Sequence, residues 1–319
     1  MEIIPKDLRR ASANRGKLPP LPAASAASRP QHRPTHRLGL VRAIRRTLWI
    51  VLFVPPAVLI QMCLLALPGH YNLPFGAFFW ASIARMLGLR VRVLGTPLHG
   101  RQPVTARSVI YVCNHSSWLD IPALGGRVPA RFVSKDDVAR WPVIGTIARL
   151  GRTVFVSRNR SGTLRERDEM HHALAAGDDL FLFPEGTSSD GARVLPFRSA
   201  FFAAAYGPTT PLIQPVSVVY DRLAGLPVSH ASRAVFAWYG DMSLAPHFWQ
   251  VVQWRGKRVT LLFHPPLDPA HFANRKALAD ATWRIVADGA AALRQNRPYG
   301  AQTARADAEI TSGAEAAFA

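Results

Sequence analysis

The chain has 319 residues, with 39 lysines and arginines against 20 aspartates and glutamates; the formal net charge of +19 points to anionic partners such as phosphates, acidic lipid or nucleic acid. That length holds one catalytic domain and a membrane anchor, and excludes two large folded domains. The two cysteines, Cys63 in an apolar run and Cys113 in an expected strand, suggest neither a disulfide framework nor a thiolate metal site, and fit a cytosol-facing protein.

Residues 1–40 are rich in Ala, Ser, Pro and Arg and lack apolar periodicity, so they read as a disordered basic tail. Eleven basic residues lie between Met1 and Arg46 against Glu2 and Asp7, and such a tail attracts anionic headgroups.

Residues 41–89 read as a membrane anchor. Thr47 to Leu67 is an uncharged run long enough to cross a bilayer. It begins too late for a secretory signal, and no small-residue cleavage site follows it. Pro55 and Pro56 at its centre predict a bend or break. Residues 73–89 read as an amphipathic interfacial helix with Phe75, Phe78, Phe79 and Trp80 on its apolar side. Basic residues flank the pair on both outer sides, which favours a helical hairpin dipping into the membrane from the cytosolic face over a single full span.

Residues 90–297 alternate short β-branched runs with helical stretches. Strands are expected near 90–94, 108–113, 153–157, 179–183, 212–220 and 258–264, and helices over 162–176, 199–206 and 276–293. The pattern predicts an α/β fold, a mixed central sheet flanked by helices, behind the membrane-embedded hairpin. Residues 298–319 read as a second disordered tail.

Two polar clusters follow expected strands, at the sheet end where open α/β folds hold ligands. The first is Asn114, His115, Ser116, Ser117, Trp118, Leu119 and Asp120. A five-residue step on a continuous helix would point His115 and Asp120 about 140° apart, so they meet only if the chain turns between them. If it turns, Asp120 fixes the imidazole tautomer and leaves Nε2 free to take a hydroxyl proton. The second cluster, Phe181 to Gly191, follows another expected strand, and its Pro184, Glu185, Gly186, Thr187 and Ser188 make a turn suited to holding an anion.

Together with Phe132 to Lys135 and Gly151 to Arg158, these clusters resemble the glycerophospholipid acyltransferase family that includes 1-acyl-sn-glycerol-3-phosphate acyltransferase. The resemblance covers about Val109 to Val219, and the apolar segment is similar to the two-helix membrane motif of bacterial members. It implies His115 as general base and Asp120 as its orienting partner. It also implies that Arg158, Glu185, Gly186 and Thr187 hold the acceptor's headgroup and glycerol. Pro215 would match the family's fourth block, and Asn114, Lys135 and Arg198 would be further substrate contacts. The implied reaction is acyl transfer from acyl-CoA or acyl carrier protein to a lysolipid hydroxyl, without a resident cofactor or metal, on the cytosolic face of the cell membrane.

Ser188 departs from the family, because many phosphatidic-acid-forming relatives carry arginine there. Arg193 or Arg198 is a candidate replacement, and the run Trp238 to Met242 followed by Ala245, Pro246 and His247 is similar to lyso-ornithine lipid acyltransferases. The resemblance therefore implies 1-acyl-sn-glycerol-3-phosphate as acceptor first and lyso-ornithine lipid second. A non-enzymatic basic membrane tether would leave both clusters unexplained, and a serine hydrolase would need a Gly-x-Ser-x-Gly elbow that occurs nowhere in the chain. Cys113 reads as a packed core residue, and His171 and His172 as a solvated helix face.

Overall fold

The computed structural model describes residues 36–67, 71–98, 107–156 and 163–297. Helix α1 spans His36–Ala66 and α2 spans Asn72–Met86. The strands are β1 (Leu89–Leu94), β2 (Val109–Cys113), β3 (Arg131–Lys135), β4 (Val154–Val156), β5 (Leu180–Leu182), β6 (Leu212–Leu223), β7 (Leu226–Pro227) and β8 (Lys257–Phe263). The remaining helices are α3 (Asp120–Gly125), α4 (Ile144–Leu150), α5 (Thr163–Ala175), α6 (His230–Arg233), α7 (Leu244–Gln253) and α8 (Arg275–Arg294). Ser199–Ala205, expected as an α-helix, forms a tighter 3-10 helix. Strand β3 was not among the expected strands, because Arg131 and Lys135 bracket only two apolar residues; Arg131 is buried in an ion pair with Asp178.

The sheet order is β1-β8-β6-β2-β5-β3-β4, with β7 paired to β6. Pairings are parallel except where β6 meets β8 and β7, so the sheet is mixed. Alternate side chains of β2 enter opposite cores. Val109, Tyr111 and Cys113 join α1, α2, α3 and α7 on one face, while Ile110 and Val112 join α5 and α8 on the other. All five are buried, which suits a central strand covered on both sides.

Helix α1 begins at His36, inside the segment assigned to the basic tail, and runs unbroken through Pro55 and Pro56. The donors missing at Pro55 and Pro56 would have served Val51 and Leu52, which lie on the exposed flank with the prolines. The opposite face is docked, with Ala43 and Ala57 buried. Arg46 donates to the carbonyls of Val252 (2.8 Å) and Trp254 (2.6 Å), and Arg42 donates to that of Gln253. These arginines therefore cap the carboxyl end of α7, whose carbonyls carry partial negative charge. Gly88, at φ +72°, lies against the Arg46 guanidinium where a Cβ would collide. Further along α1, Gln61 donates to the Leu150 carbonyl (3.0 Å), and Phe53 stacks on Phe79 of α2 at 5.7 Å.

The rest of α1 is open: Leu38, Val41, Leu48, Trp49, Leu52 and Leu59 are all exposed. Residues Arg37–Ala66 are long and apolar enough to cross a membrane, and an 18-residue stretch within them has a mean hydropathy of 2.3.

Candidate active site

Strand β2 ends at Cys113, and the next residues turn sharply. Asp120 N–H donates to the Ser117 carbonyl at 3.0 Å, so Asp120 opens α3 rather than continuing a helix from His115. The turn brings the two side chains into contact, with His115 Nδ1 2.8 Å from Asp120 Oδ2. The backbone N–H groups of Ser116 (2.9 Å) and Ser117 (3.0 Å) donate to the same oxygen. Tyr220, one hundred residues away on β6, donates its hydroxyl to Asp120 Oδ1 at 2.6 Å.

Asp120 is wholly buried, whereas the His115 side chain keeps 20% of its surface open. The carboxylate accepts from donors on both oxygens, which assigns the Nδ1 proton to His115 and leaves Nε2 as the accepting nitrogen. The imidazole stacks on Phe183 at 4.3 Å and 28°. Burial, followed by the Asp120 charge, pushes the Tyr220 hydroxyl far above its ordinary range, so it stays a donor.

The second cluster is tied to the first through backbone. Glu185 Oε1 accepts from the His115 N–H (2.7 Å), and Oε2 accepts from the Leu195 N–H (3.0 Å). The Ser189 N–H (2.9 Å) and hydroxyl (3.2 Å) both donate to the His115 carbonyl. The histidine is thus held at its ring, its amide and its carbonyl. Burial pushes the Glu185 carboxyl up to about 8, against the opposing pull of its two backbone donors.

Three residues expected as substrate contacts are engaged within the protein itself. Glu185 is buried and turns both oxygens to backbone, so it braces the site. Asn114 pairs its amide with Val218, donating to the carbonyl (2.9 Å) and accepting from the N–H (2.7 Å), which pins the loop to β6. Pro215 lies within the sheet at the level of Val112, below the cluster, because β6 runs past the end of β2.

Gly186, at φ +69°, makes the turn, with the Arg198 guanidinium 3.2 Å from where a Cβ would stand. Arg198 also donates its N–H to the Pro184 carbonyl at 2.9 Å. Thr187 and Ser188 are partly exposed on the same turn. Lys135 ends β3 opposite Val156, two strands from β2. Arg158 lies outside the described residues. Among the described residues no cluster of His, Cys, Asp or Glu is placed to hold a metal ion.

The sequence did not single out Tyr220, and it placed Phe183 and Ser189 in the second cluster without a role. Trp118 also donates its indole N–H to His247 Nδ1 at 2.9 Å, and burial pulls His247 down to about 4, which keeps it a neutral acceptor. Cys113 is fully buried and burial raises its thiol, in keeping with a core residue.

Residues 96–219 match the family described as Acyltransferase, and this segment contains both clusters. A lyso-ornithine lipid O-acyltransferase of Brucella abortus is 37% identical over 226 residues, 69% of this chain and 82% of that protein. The chain belongs to the acyltransferase family. Among relatives of this acyltransferase, the lyso-ornithine lipid O-acyltransferase of Rhodobacter capsulatus is 38% identical over 64% of this chain and 71% of that protein. A 1-acyl-sn-glycerol-3-phosphate acyltransferase of Neisseria meningitidis is 29% identical over 56% and 68%. The acyltransferase also shares its fold with the solved 1-acyl-sn-glycerophosphate acyltransferase PlsC of Thermotoga maritima, with a TM-score of 0.58 and 23% identity over 83% of this chain and 98% of that one. The reading as a non-enzymatic tether is therefore set aside.

Proposed function

We propose that this acyltransferase moves a fatty acyl group from a thioester donor, acyl-CoA or acyl carrier protein, onto the hydroxyl of a lyso-ornithine lipid. The contact of His115 Nδ1 with the buried Asp120 carboxylate carries the mechanism. Nε2 takes the proton as the acceptor oxygen attacks the thioester carbonyl. The carbon–sulfur bond then breaks, and the imidazolium returns the proton to the leaving thiolate. General-base assistance of this kind supplies about 10²- to 10⁴-fold.

Two observations favour ornithine over phosphate as the headgroup. Position 188 is serine, and four relatives named for lyso-ornithine lipid acylation are 32–38% identical. Phosphatidic acid formation, placed first from sequence, becomes the second reading; it is supported by Arg198 beside the Gly186 turn and by the 29% identical Neisseria relative.

The acyltransferase works at the cytosolic face of the membrane, with α1 and α2 dipping into the lipid. Supporting this, α1 touches the catalytic domain at both Arg42 and Gln61, about 28 Å apart along the helix axis, while its far side is apolar and open. A helix tethered at both ends lies along the domain.

Purified enzyme with labelled acyl donors and paired acceptors tests the reading. Transfer to lyso-ornithine lipid should exceed transfer to 1-acyl-glycerol 3-phosphate, and Ser188→Arg should move kcat/KM toward the phosphate acceptor by about tenfold or more. A wild-type preference for the phosphate acceptor would install the second reading.

A further inference from the structure

Beside the catalytic loop, at the end of the sheet where β2 stops and β6 continues, lies a cleft whose lining includes Tyr220, Asp221, Arg222, Arg233, Arg258 and Arg294. Its four arginines are not equivalent. Arg258 is locked to Asp221, with Nε at 3.0 and 3.1 Å from the two carboxylate oxygens, and Arg222 donates to the Gly225 carbonyl at 3.0 Å. Arg233 and Arg294 are half-buried, and among the described residues neither guanidinium has a hydrogen-bond or ion-pair partner.

Two partly desolvated cations facing one cleft repel each other, and an anion between them removes the cost. Burial lowers both from the ordinary arginine range, and Arg233 adds to the lowering at Arg294. Local structure holds them in place. Arg233 ends α6, whose start is fixed by reciprocal hydrogen bonds between Ser229 and Ser232, and Arg294 is the last residue of α8.

The cleft adjoins the reacting groups. Tyr220 lines it and holds Asp120. A methyl group on Gly191 would touch both Arg233 Cδ (3.4 Å) and Ser116 Cβ (3.5 Å), so the stem of Arg233 starts beside the neighbour of His115. Asp190 acts electrostatically on both arginines. We infer that Arg233 and Arg294 form a fork for the carboxylate of the acceptor's headgroup, with Asp190 beside it for the ammonium.

This inference rests on the lyso-ornithine reading. An ornithine acylated on its α-nitrogen keeps one carboxylate and one ammonium, matching two unpaired guanidiniums beside one acid. Both arginines lie beyond the matched residues 96–219. An acceptor anion that meets serine at 188 thus meets two arginines here.

The test uses full-length enzyme with a synthetic lyso-ornithine lipid, its α-carboxamide analogue and 1-acyl-glycerol 3-phosphate. Wild type should favour the carboxylate over the carboxamide by about 10- to 100-fold in kcat/KM. Arg294→Gln and Arg233→Gln should each shrink that ratio toward one, mainly through acceptor KM, and Arg294→Lys should recover part of it. An unchanged ratio, an equal loss on both acceptors, or a rise confined to the donor's KM would overturn the fork while leaving the proposed function intact. Wild-type transfer to the phosphate acceptor alone would overturn both.

Discussion

The catalytic loop and the acceptor turn lie one hydrogen bond apart, yet they are built differently. In the loop, Asp120 is sealed under the sheet end and meets His115, Ser116, Ser117 and Tyr220. In the turn, Thr187 and Ser188 are partly open, and Arg198 leans over Gly186. Chemistry that must place a proton to a fraction of an ångström sits on a saturated buried network, where each member limits the others. The acceptor choice proposed for the turn would sit on side chains that can be exchanged without unpairing anything buried.

The largest effect should come from emptying the buried half of that pair. Asp120→Ala leaves Tyr220 Oη, two backbone N–H groups and His115 Nδ1 without their acceptor, so activity should disappear and thermal unfolding should show a loss of several kcal/mol, at about 1–3 kcal/mol per stranded group. Asp120→Asn should be milder. Its amide oxygen can take the Oδ2 position, where three of the four donors converge, and the Tyr220 hydroxyl can rotate to accept from the amide N–H. If the two variants are equally damaged, the carboxylate's charge matters more than its hydrogen-bond geometry.

Tyr220→Phe removes the donor to Asp120 Oδ1 and a hydrogen-bond partner of the buried Ser117 hydroxyl. Denaturant unfolding should show a loss of about 1.5–3 kcal/mol, the range for a hydrogen bond to a charged group, and kcat should fall with acceptor KM little changed. A rise in KM alone would place Tyr220 in binding instead.

An effect of another kind should appear as a pH slope. Glu185 is raised from 4.5 to about 8 in the folded chain, so between those values the unfolded chain has released a proton that the folded chain keeps. Its stabilising contribution is complete below about pH 4.5, declines as pH rises and is gone above about pH 8. Glu185→Gln should flatten the dependence of Tm on pH across that window. An identical slope in the variant would show that Glu185 is not its source.

Much of this architecture was legible in the chain, because the apolar run of β2 breaks abruptly into Asn114 and His115 and the α/β alternation is regular. Pairwise residues close in sequence were readable too: the step from His115 to Asp120 admits contact only through a turn, and the turn is there. Contacts across the chain were not. Tyr220 reaches Asp120 only because β6 pairs with β2 and overruns it, a register no local pattern encodes. Glu185 reads from sequence as a headgroup ligand, but the fold presents two backbone donors to a carboxylate that has been buried. Arg42 and Arg46 read as part of a lipid-attracting tail, and became caps once α7 ended against α1.

The most direct test of the account is transfer of a labelled acyl group by His115→Ala against wild type, with unfolding of both followed in parallel. The ring is partly open, and its removal takes away only one of the three donors that meet Asp120 Oδ2, so the variant should fold with a Tm close to that of wild type while transfer falls to background. Transfer at the wild-type rate by folded His115→Ala protein would contradict the claim that this imidazole, held by Asp120, takes the acceptor's proton.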